Sequence, residues 1–264
     1  MQRNAQLNSF TQSLIALAVL AGAPIGAAAQ MEFHYQYGEL TNPFAGTDHA
    51  THILTFQHAS AWSLGESFFF IDLLDDGGAD GFNDVEFYGE WYPTLSLGRL
   101  TNRTVGGGPL RDIAFVGGIN VDGDANVFKW LPGARLSWDI PGFVFFNTDI
   151  TAFIDASSGV ESGGAPRTDD SFMVDVNWGA AFDLGSQSFW FTGHAEYIGG
   201  TTTEFGAPQE GWILAQPQLG WDIGKTVTGS ANQLFVGVEY QYWRNKLGTQ
   251  NHDNVPQLWV MWRL

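Results

Sequence analysis

The sequence contains no cysteine and few basic residues. The absence of cysteine fits a compartment in which free thiols are a liability. No lipidation cysteine follows the N-terminal segment, so we do not expect a lipoprotein. The 11 Lys and Arg residues are outnumbered by 28 Asp and Glu, which gives a formal net charge of −17. Because neutralising phosphates requires basic side chains, this composition argues against a nucleic acid polymer as a partner.

Long apolar runs are also missing beyond the first residues. Arg3 precedes an apolar core at 14–20, and Ala27–Ala29 offers a small-residue cleavage site before Gln30. This core is too short to span a bilayer as a helix, and no later run reaches the ~18 residues that such a helix needs. The pattern predicts a signal peptide at 1–29 and one domain at 30–264.

The remaining chain consists of short runs in which apolar and polar residues alternate, separated by Gly, Asp, Asn and Pro. The full sequence is rich in Gly (33) and Phe (21), which suits tight turns and aromatic girdles. Each run is close to the ~9–11 residues that a tilted transmembrane strand needs. The pattern predicts an all-β protein, a transmembrane antiparallel β-barrel of about twelve strands, in a bacterial outer membrane. We place the strands near 32–38, 52–62, 66–74, 84–96, 112–121, 126–140, 142–154, 171–183, 187–198, 211–223, 232–244 and 255–264.

The lengths of the connections support this count. An even number of strands returns both termini to the periplasmic side. Short turns should then follow even strands, whereas odd strands should lead into longer outer loops, at 38–51, 75–83, 155–170, 199–210 and 245–254. Two connections break the rule: 98–111 is long for an inner turn, and 122–124 is short for an outer one. The Asp-rich stretch 75–84 lacks the oxygen spacing of an EF-hand, so we interpret it as a solvated loop. We predict no metal site, no catalytic residue and no cofactor.

Alternation along the strands predicts which residues face the lumen. Acids such as Asp84, Glu86 and Glu90 should point inward, while Val85 and Phe87 should face lipid. The strands at 126–140, 171–183, 232–244 and 255–264 give further inward residues, among them Lys129, Arg135, Asp139, Asp175, Asn177, Glu239, Gln241, Trp243, Gln257, Trp259 and Arg263. Two interpretations compete. The acids and bases could pair purely for stability in a filled lumen, or the lumen could be lined for solutes.

The segment 66–72 favours a solute site. If Asp72 points inward, so do Phe68 and Phe70. Two phenylalanines beside an acid do not suit a general water-filled pore, although they could also be interior packing near one rim. They do suit a flat ring, which stacks on aromatics with ~1–3 kcal/mol per base while the acid accepts hydrogen bonds from the solute.

At this point the chain resembles the Tsx-like family of nucleoside-specific outer-membrane channels, which includes OmpK-type proteins. The similar motifs occur in order across most of the mature chain: LTFQHASAW at 54–62, FFFID at 68–72, FYGE at 87–90, LSLGRLT at 95–101 and GVEYQYWRNK at 237–246. The resemblance implies a monomeric, narrow twelve-stranded barrel that passes nucleosides, often used as a phage or colicin receptor. It also accounts for the long inner segment 98–111. In place of the C-terminal Phe that the family leads one to expect stands Leu264, which would weaken recognition by the barrel-assembly machinery.

The resulting hypothesis is facilitated diffusion of nucleosides through an aromatic and acidic lumen, by a monomer surrounded by outer-membrane lipid and lipopolysaccharide. Rings would slide between aromatics while ribose hydroxyls pass from one acid to the next. The candidate substrate-binding residues are Phe68, Phe70, Asp72, Glu86, Tyr88, Glu90, Glu239, Trp243 and Tyr37. For Tyr37 the sequence does not say which face of the first strand is inside.

Two alternatives remain open. His58 and Ser60 share one strand face, as in outer-membrane lipid hydrolases, and a histidine beside a serine can act as its general base. Their parity matches Leu54 and Phe56 on the expected lipid face, and no residue is clearly placed to orient the imidazole, so we do not expect an enzyme. The other alternative is a structural or receptor barrel without transport, which a blocked lumen would support.

Overall fold

The computed structural model describes residues 28–264, so nearly all of the predicted signal peptide lies outside the described residues. Ala28 and Ala29 form the beginning of the first strand. The strands are β1 Ala28–Asn42, β2 Thr47–Trp62, β3 Gly65–Asp75, β4 Glu86–Ser96, β5 Leu110–Asp122, β6 Val127–Trp138, β7 Phe145–Asp155, β8 Ser171–Leu184, β9 Gln187–Ile198, β10 Thr201–Thr202, β11 Pro208–Gln209, β12 Trp212–Ala215, β13 Gln218–Asp222, β14 Leu234–Arg244 and β15 Asp253–Arg263. The short helices are α1 Leu97–Thr101 and α2 Gly224–Val227, with 3₁₀ turns at Val160–Ser162 and Lys246–Gly248.

The sheet closes on itself. From β1 to β9 each strand pairs with the next along the chain, and β15 pairs with both β14 and β1, for example through Trp262 opposite Phe33. β10 and β11 form a separate two-stranded sheet. β12 and β13 pair with β9 and β14 in one continuous register and together form a single barrel strand. The strand is interrupted only at Gln216 and Pro217, where proline has no N–H to donate. The prediction of a closed, twelve-stranded antiparallel barrel is therefore confirmed.

One outer connection differs from the prediction. The segment 38–51, expected to be a long loop, is instead strand, because β1 and β2 remain paired up to Asn42 and Thr47. The turn between them is short, and the Asn42 side-chain oxygen accepts hydrogen bonds from the backbone N–H groups of Phe44 and Ala45. The hairpin therefore extends beyond the predicted strands. Its outward residues there are polar, which is typical of a loop in the sequence, although the two strands remain paired.

The outer surface of the barrel is apolar. Alternate residues along the strands expose large hydrophobic side chains, including Phe87 (57% exposed), Phe115 (58%) and Trp130 (50%). A closed sheet with this surface is suited to a lipid bilayer, since its strands pair their backbone groups with one another and leave no open edge. No helix among the described residues is long and apolar enough to cross a membrane. The inward and outward orientations predicted for β4, β6, β8, β14 and β15 are confirmed.

The interior has three layers along the barrel axis. One apolar cluster runs across the lumen, from near the inner ends of β3 and β4 to the outer ends of β9 and β12. It consists of Tyr92, Val116, Leu131, Phe153, Met173, Ile198 and Trp212, with Phe68 and Trp243 packed against it. A second, of Phe235, Trp259 and Met261 with Trp190, lies nearer the termini. Along β9, His194 and Glu196 fall between Trp190 and Ile198. A polar layer therefore separates the two clusters.

Candidate functional site

The predicted ring site exists as an aromatic wall, which we define as Phe68 and Phe70 on β3 with Tyr88 on β4. The ring centroids of Phe68 and Phe70 are 6.2 Å apart, and those of Phe70 and Tyr88 are 6.0 Å apart. Direct pairing of Phe70 with Glu90, and of Asp72 with Tyr88, places both acids against this wall. The Tyr88 hydroxyl donates to Glu90, and the Thr55 hydroxyl donates to Asp72 Oδ1 at 2.5 Å.

The solvent-accessible part of the interior lies on two facing walls. On one side of the lumen the aromatic wall and Asp72 are partly exposed. On the opposite side His194 and Gln216 are partly exposed. β3 and β9 are six positions apart in a twelve-stranded ring, so these walls are diametrically opposed. The inner side chains of β5 to β7 and of most of β14 and β15 are buried. The remaining space in the lumen therefore lies between an aromatic, acidic wall and an imidazole and amide wall.

Glu239 is the centre of an amide network. Its carboxylate accepts hydrogen bonds from four glutamine side chains and is 1% exposed. The donors and their distances are Gln36 (3.4 Å), Gln216 (3.1 Å), Gln218 (2.6 Å) and Gln257 (3.1 Å). Amide dipoles rather than a cation therefore stabilise this buried charge.

Four basic side chains neutralise specific interior acids. Lys129 contacts Asp155 at 2.9 Å, and Arg135 holds Asp149 through two hydrogen bonds of 2.7 and 2.6 Å. The other two pairs are Arg263 with Glu32 at 2.7 Å and Lys246 with Asp253 at 2.6 Å. The paired-lumen interpretation is therefore correct for Lys129, Arg135 and Arg263.

Several interior acids of the described chain lack such a partner, including five in the body of the barrel. Among the described residues, no Lys or Arg forms an ion pair with Asp72, Glu90, Asp175, Glu196 or Glu239. Glu90 and Glu196 project from opposite walls and interact repulsively across the lumen. The lumen is thus narrow at this level and carries an excess of negative charge.

The outer mouth is closed by a packed cation. Lys246 Nζ lies 5.1 Å from the ring centres of both Phe82 and Trp243, and it also donates to the Thr41 carbonyl at 2.7 Å. Burial lowers the pKa of the Lys246 ammonium, and the Asp253 carboxylate opposes that shift. The loop after β3 and the loop after β14 therefore meet above the upper apolar cluster.

The structure brings most, but not all, of the predicted residues together. Phe68, Phe70, Asp72, Tyr88 and Glu90 form one surface. Glu239 belongs to the amide network and Trp243 to the upper cluster, whereas Glu86 lies at the outer rim, where it accepts from the backbone N–H of Asn83 at 3.1 Å.

Tyr37 is a correction. It is 40% exposed and its ring lies 4.9 Å from that of His52 on the outer surface. The inward residues of β1 are Glu32, His34 and Gln36, which are buried. Because a strand alternates its side chains, Tyr37 cannot share their face.

Several interior residues were missed by sequence reasoning. His194 and Glu196 on β9 face the lumen, as does Gln216 at the Pro217 interruption. Alternation would have found the first two, because Phe191 and Tyr197 take the opposite parity in the same strand. Gln216 gave no such signal, since it stands in a short run broken by proline.

His58 and Ser60 lie on the outer face, as their parity predicts. The His58 ring stacks on Phe69 with centroids 5.3 Å apart, and His58 is 2% exposed. Within residues 28–264 neither ring nitrogen of His58 has a hydrogen-bond partner. A serine–histidine pair needs a third group to hold the imidazole, and none is in contact with it here.

The carboxylates of the acidic loop 75–84 bind their own backbone. Asp84 accepts from the N–H groups of Asp80 and Gly81, and Asp76 accepts from Gly78. Asp80 also accepts from the side chain of Asn42 at 2.8 Å. These contacts describe a folded loop that packs against the β1–β2 turn.

Comparison with known proteins supports the fold. No protein-family model matches the chain, and no curated protein matches it. Among solved structures, the NanC porin is similar, with a TM-score of 0.51 at 12% identity over 90% of this chain and 100% of that one. An outer membrane channel from Pseudomonas putida F1 has a TM-score of 0.46 at 10% identity, covering 92% and 96%. OccK11 (OpdR) from Pseudomonas aeruginosa has a TM-score of 0.33 at 11% identity, covering 89% and 95%.

The chain has the fold of an outer-membrane β-barrel. At these identities the likeness establishes architecture alone, and the resemblance to Tsx-like channels stays a prediction. The solute or ligand of this protein must therefore be inferred from the residues that line its lumen.

Proposed function

We propose that this protein is an outer-membrane channel for small solutes, with nucleosides as the preferred class. It would act as a monomer surrounded by outer-membrane lipid and lipopolysaccharide. The observation that supports this is the set of five lumenal acids that have no Lys or Arg partner among the described residues, three of which lie on or beside the facing walls. Burying unpaired carboxylates is costly, so an interior selected for stability alone would neutralise or omit them.

A nucleoside fits the chemistry of the two walls. Its base can stack on Phe70 or Tyr88, because every base presents a π-face to an aromatic ring. Its ribose hydroxyls and base N–H groups are donors, and Asp72 and Glu90 are acceptors beside those rings. His194 and Gln216 on the facing wall offer further polar contacts.

Passage requires side chains to move. Leu131 and Trp259 are 0% exposed, so the lumen is filled where these residues lie. A solute entering from outside would have to displace the contacts of Phe82 and Lys246 and then part the upper apolar cluster. Weak, sequential contacts suit such a path, since a channel site must release what it binds.

The filled interior also supports the second candidate, a structural or receptor barrel without transport. As a receptor, such a barrel would bind phage or colicin. The two proposals differ in a measurable way. A transport barrel should conduct ions and respond to nucleosides, whereas a structural barrel should insert into a bilayer and remain silent.

The decisive experiment is single-channel recording of the purified protein in planar bilayers. Adenosine or thymidine at millimolar concentration should reduce the ion current, and a sugar of similar size should not. Phe70→Ala should weaken the nucleoside effect by ~1–3 kcal/mol if one base stacks there. The matched control is Phe115→Ala on the outer surface, which should leave the block unchanged.

Equal block by the sugar would remove the argument for stacking while leaving a general channel. Absence of current from inserted protein would favour the structural barrel.

A further inference from the structure

Asp175, His194 and Glu196 form a compact cluster in the polar layer, between β8 and β9. Asp175 and Glu196 are direct cross-strand partners, and both are more than nine-tenths buried. One ligand atom from each of the three side chains lies within 4.8 Å of the others. His194 Nδ1 is already 3.1 Å from Asp175 Oδ1.

The hydrogen bonds around Gln216 determine the state of the His194 ring. Gln216 Nε2 donates to Glu239 Oε1 and to Gln241 Oε1, each at 3.1 Å. Because a carboxylate only accepts, the amide nitrogen must face Glu239 and the amide oxygen must face His194. The 2.9 Å contact between His194 Nε2 and Gln216 Oε1 therefore requires a hydrogen on Nε2.

The other ring nitrogen then faces a charge of its own sign. In a neutral ring with hydrogen on Nε2, the Nδ1 lone pair would point at the Asp175 carboxylate. A cation between the two atoms removes this repulsion. A ring nitrogen free to ligate, with the opposite N–H held by an acceptor, is the arrangement seen for metal-bound histidine.

Glu196 supplies a second, independent observation. Across the described residues its carboxylate accepts no hydrogen bond and forms no ion pair with Lys or Arg, although the residue is 9% exposed. It points at Asp175 and His194, and the Glu90 carboxylate repels it from across the lumen. A buried carboxyl group aimed at another acid is stable only if it takes up a proton or if a cation joins the two.

The donor set indicates the class of ion. One imidazole nitrogen and two carboxylates suit a borderline divalent metal such as Zn²⁺, which binds these atoms at ~2.0–2.2 Å. Ca²⁺ and Mg²⁺ prefer oxygen ligands alone. Three protein ligands leave a coordination position toward the lumen, between the two walls.

We propose that Asp175, His194 and Glu196 form a lumenal binding site for a zinc-type divalent cation, with Gln216 positioning the imidazole. The argument for the metal site does not rest on nucleoside passage, although His194 and Gln216 also face the proposed solute path. It would attract the metal through the surplus negative charge of the lumen and hold it beside Glu90.

The test is metal binding by the full protein, extracted from membranes in detergent and carrying no polyhistidine tag. After treatment with a chelator, the protein is dialysed against Zn²⁺, and bound metal is measured by elemental analysis. We expect one Zn²⁺ per chain, retained in an excess of Mg²⁺ or Ca²⁺. Co²⁺ should give visible absorption bands of the intensity typical of four-coordinate sites.

Variants locate the site. His194→Gln and Glu196→Gln should each weaken Zn²⁺ binding by at least ~10-fold, the scale on which even supporting residues act. The matched control is His49→Gln, which removes a partly exposed histidine that lies 3.5 Å from Asp80 at the outer rim, and it should bind like the parent. Heat-dependent gel mobility verifies that each variant is folded.

Three results would overturn the proposal. These are no stoichiometric Zn²⁺ at millimolar concentration, equal binding by folded His194→Gln, or loss of binding in His49→Gln. The first would leave a proton as the cation between His194 and Asp175. Because no solute is present, loss of the nucleoside effect on current would not affect the outcome.

Discussion

Two groups of acids share the interior of this barrel, and they differ in their partners. Glu32, Asp149, Asp155 and Asp253 each contact a Lys or Arg side chain. Asp72, Glu90, Asp175, Glu196 and Glu239 also face the lumen, and no such contact reaches them within residues 28–264. The first group lies mainly near the ends of the barrel or beside buried walls, whereas the second converges on its middle.

This difference separates acids that stabilise the barrel from acids that are available for its function. A paired acid is needed where it is, because removing either partner leaves a buried charge. An unpaired acid contributes nothing of that kind, and its neighbours are aromatic rings, amides and other acids. We infer that the paired acids maintain the barrel and that the unpaired acids are held ready for a donor-rich solute or a cation.

The largest expected effect comes from breaking the buried pair that is joined by two hydrogen bonds, Arg135 and Asp149. Arg135→Met should destabilise the protein by ~3–5 kcal/mol, because it leaves Asp149 charged and unpaired inside the barrel. Urea unfolding in lipid vesicles, followed by tryptophan fluorescence, measures this. The double variant Arg135→Met with Asp149→Asn should recover most of the loss, and an equally unstable double variant would contradict the role of the pair.

A smaller loss is expected at the mouth. Lys246→Met removes the cation from Asp253 and from the Thr41 carbonyl, and leaving such buried groups unsatisfied costs ~1–3 kcal/mol. The loops should also separate, so ion current should rise. Unfolding and conductance are measured on the same preparation, and a stable variant with unchanged current would show that the mouth does not depend on this contact.

Removing an unpaired acid should change the free energy of unfolding in the opposite direction. Glu196→Gln, measured in chelator so that metal plays no part, should leave stability unchanged or raise it by ~0.2–1 kcal/mol, since like charges directly opposite on a sheet are destabilising. The same unfolding assay is used. A loss comparable to that of Arg135→Met would abolish the distinction between the two groups.

The smallest effect is expected outside the lumen. Ser60→Ala should leave nucleoside block unchanged, and neither the parent nor the variant should release fatty acid from phospholipid, because neither ring nitrogen of His58 has a hydrogen-bond partner within residues 28–264. Fatty-acid release is measured in detergent and in vesicles. Hydrolysis by the parent that disappears in Ser60→Ala would establish the enzyme instead.

The orientation of interior side chains followed from alternation wherever a strand carried a clear pattern. Phe68, Phe70 and Asp72 point inward as predicted, and so do Glu90 and Glu239. Alternation did not determine the side of Tyr37, because both faces of β1 carry rings and polar groups. It also could not predict how far β1 and β2 extend, since their outer ends are polar on the outward face as a loop would be.

The sequence alone determined the architecture, because a period of two residues, a strand length matched to a bilayer and an even strand count are local properties that any chain of this pattern must satisfy. Only the tertiary structure decided which acids are neutralised. Arg135 and Asp149 are neighbours through strand pairing, but Glu90 meets Glu196 only because closure brings β4 opposite β9 and β12. Contacts across a lumen depend on the curvature and diameter of the closed sheet, and no local pattern records them.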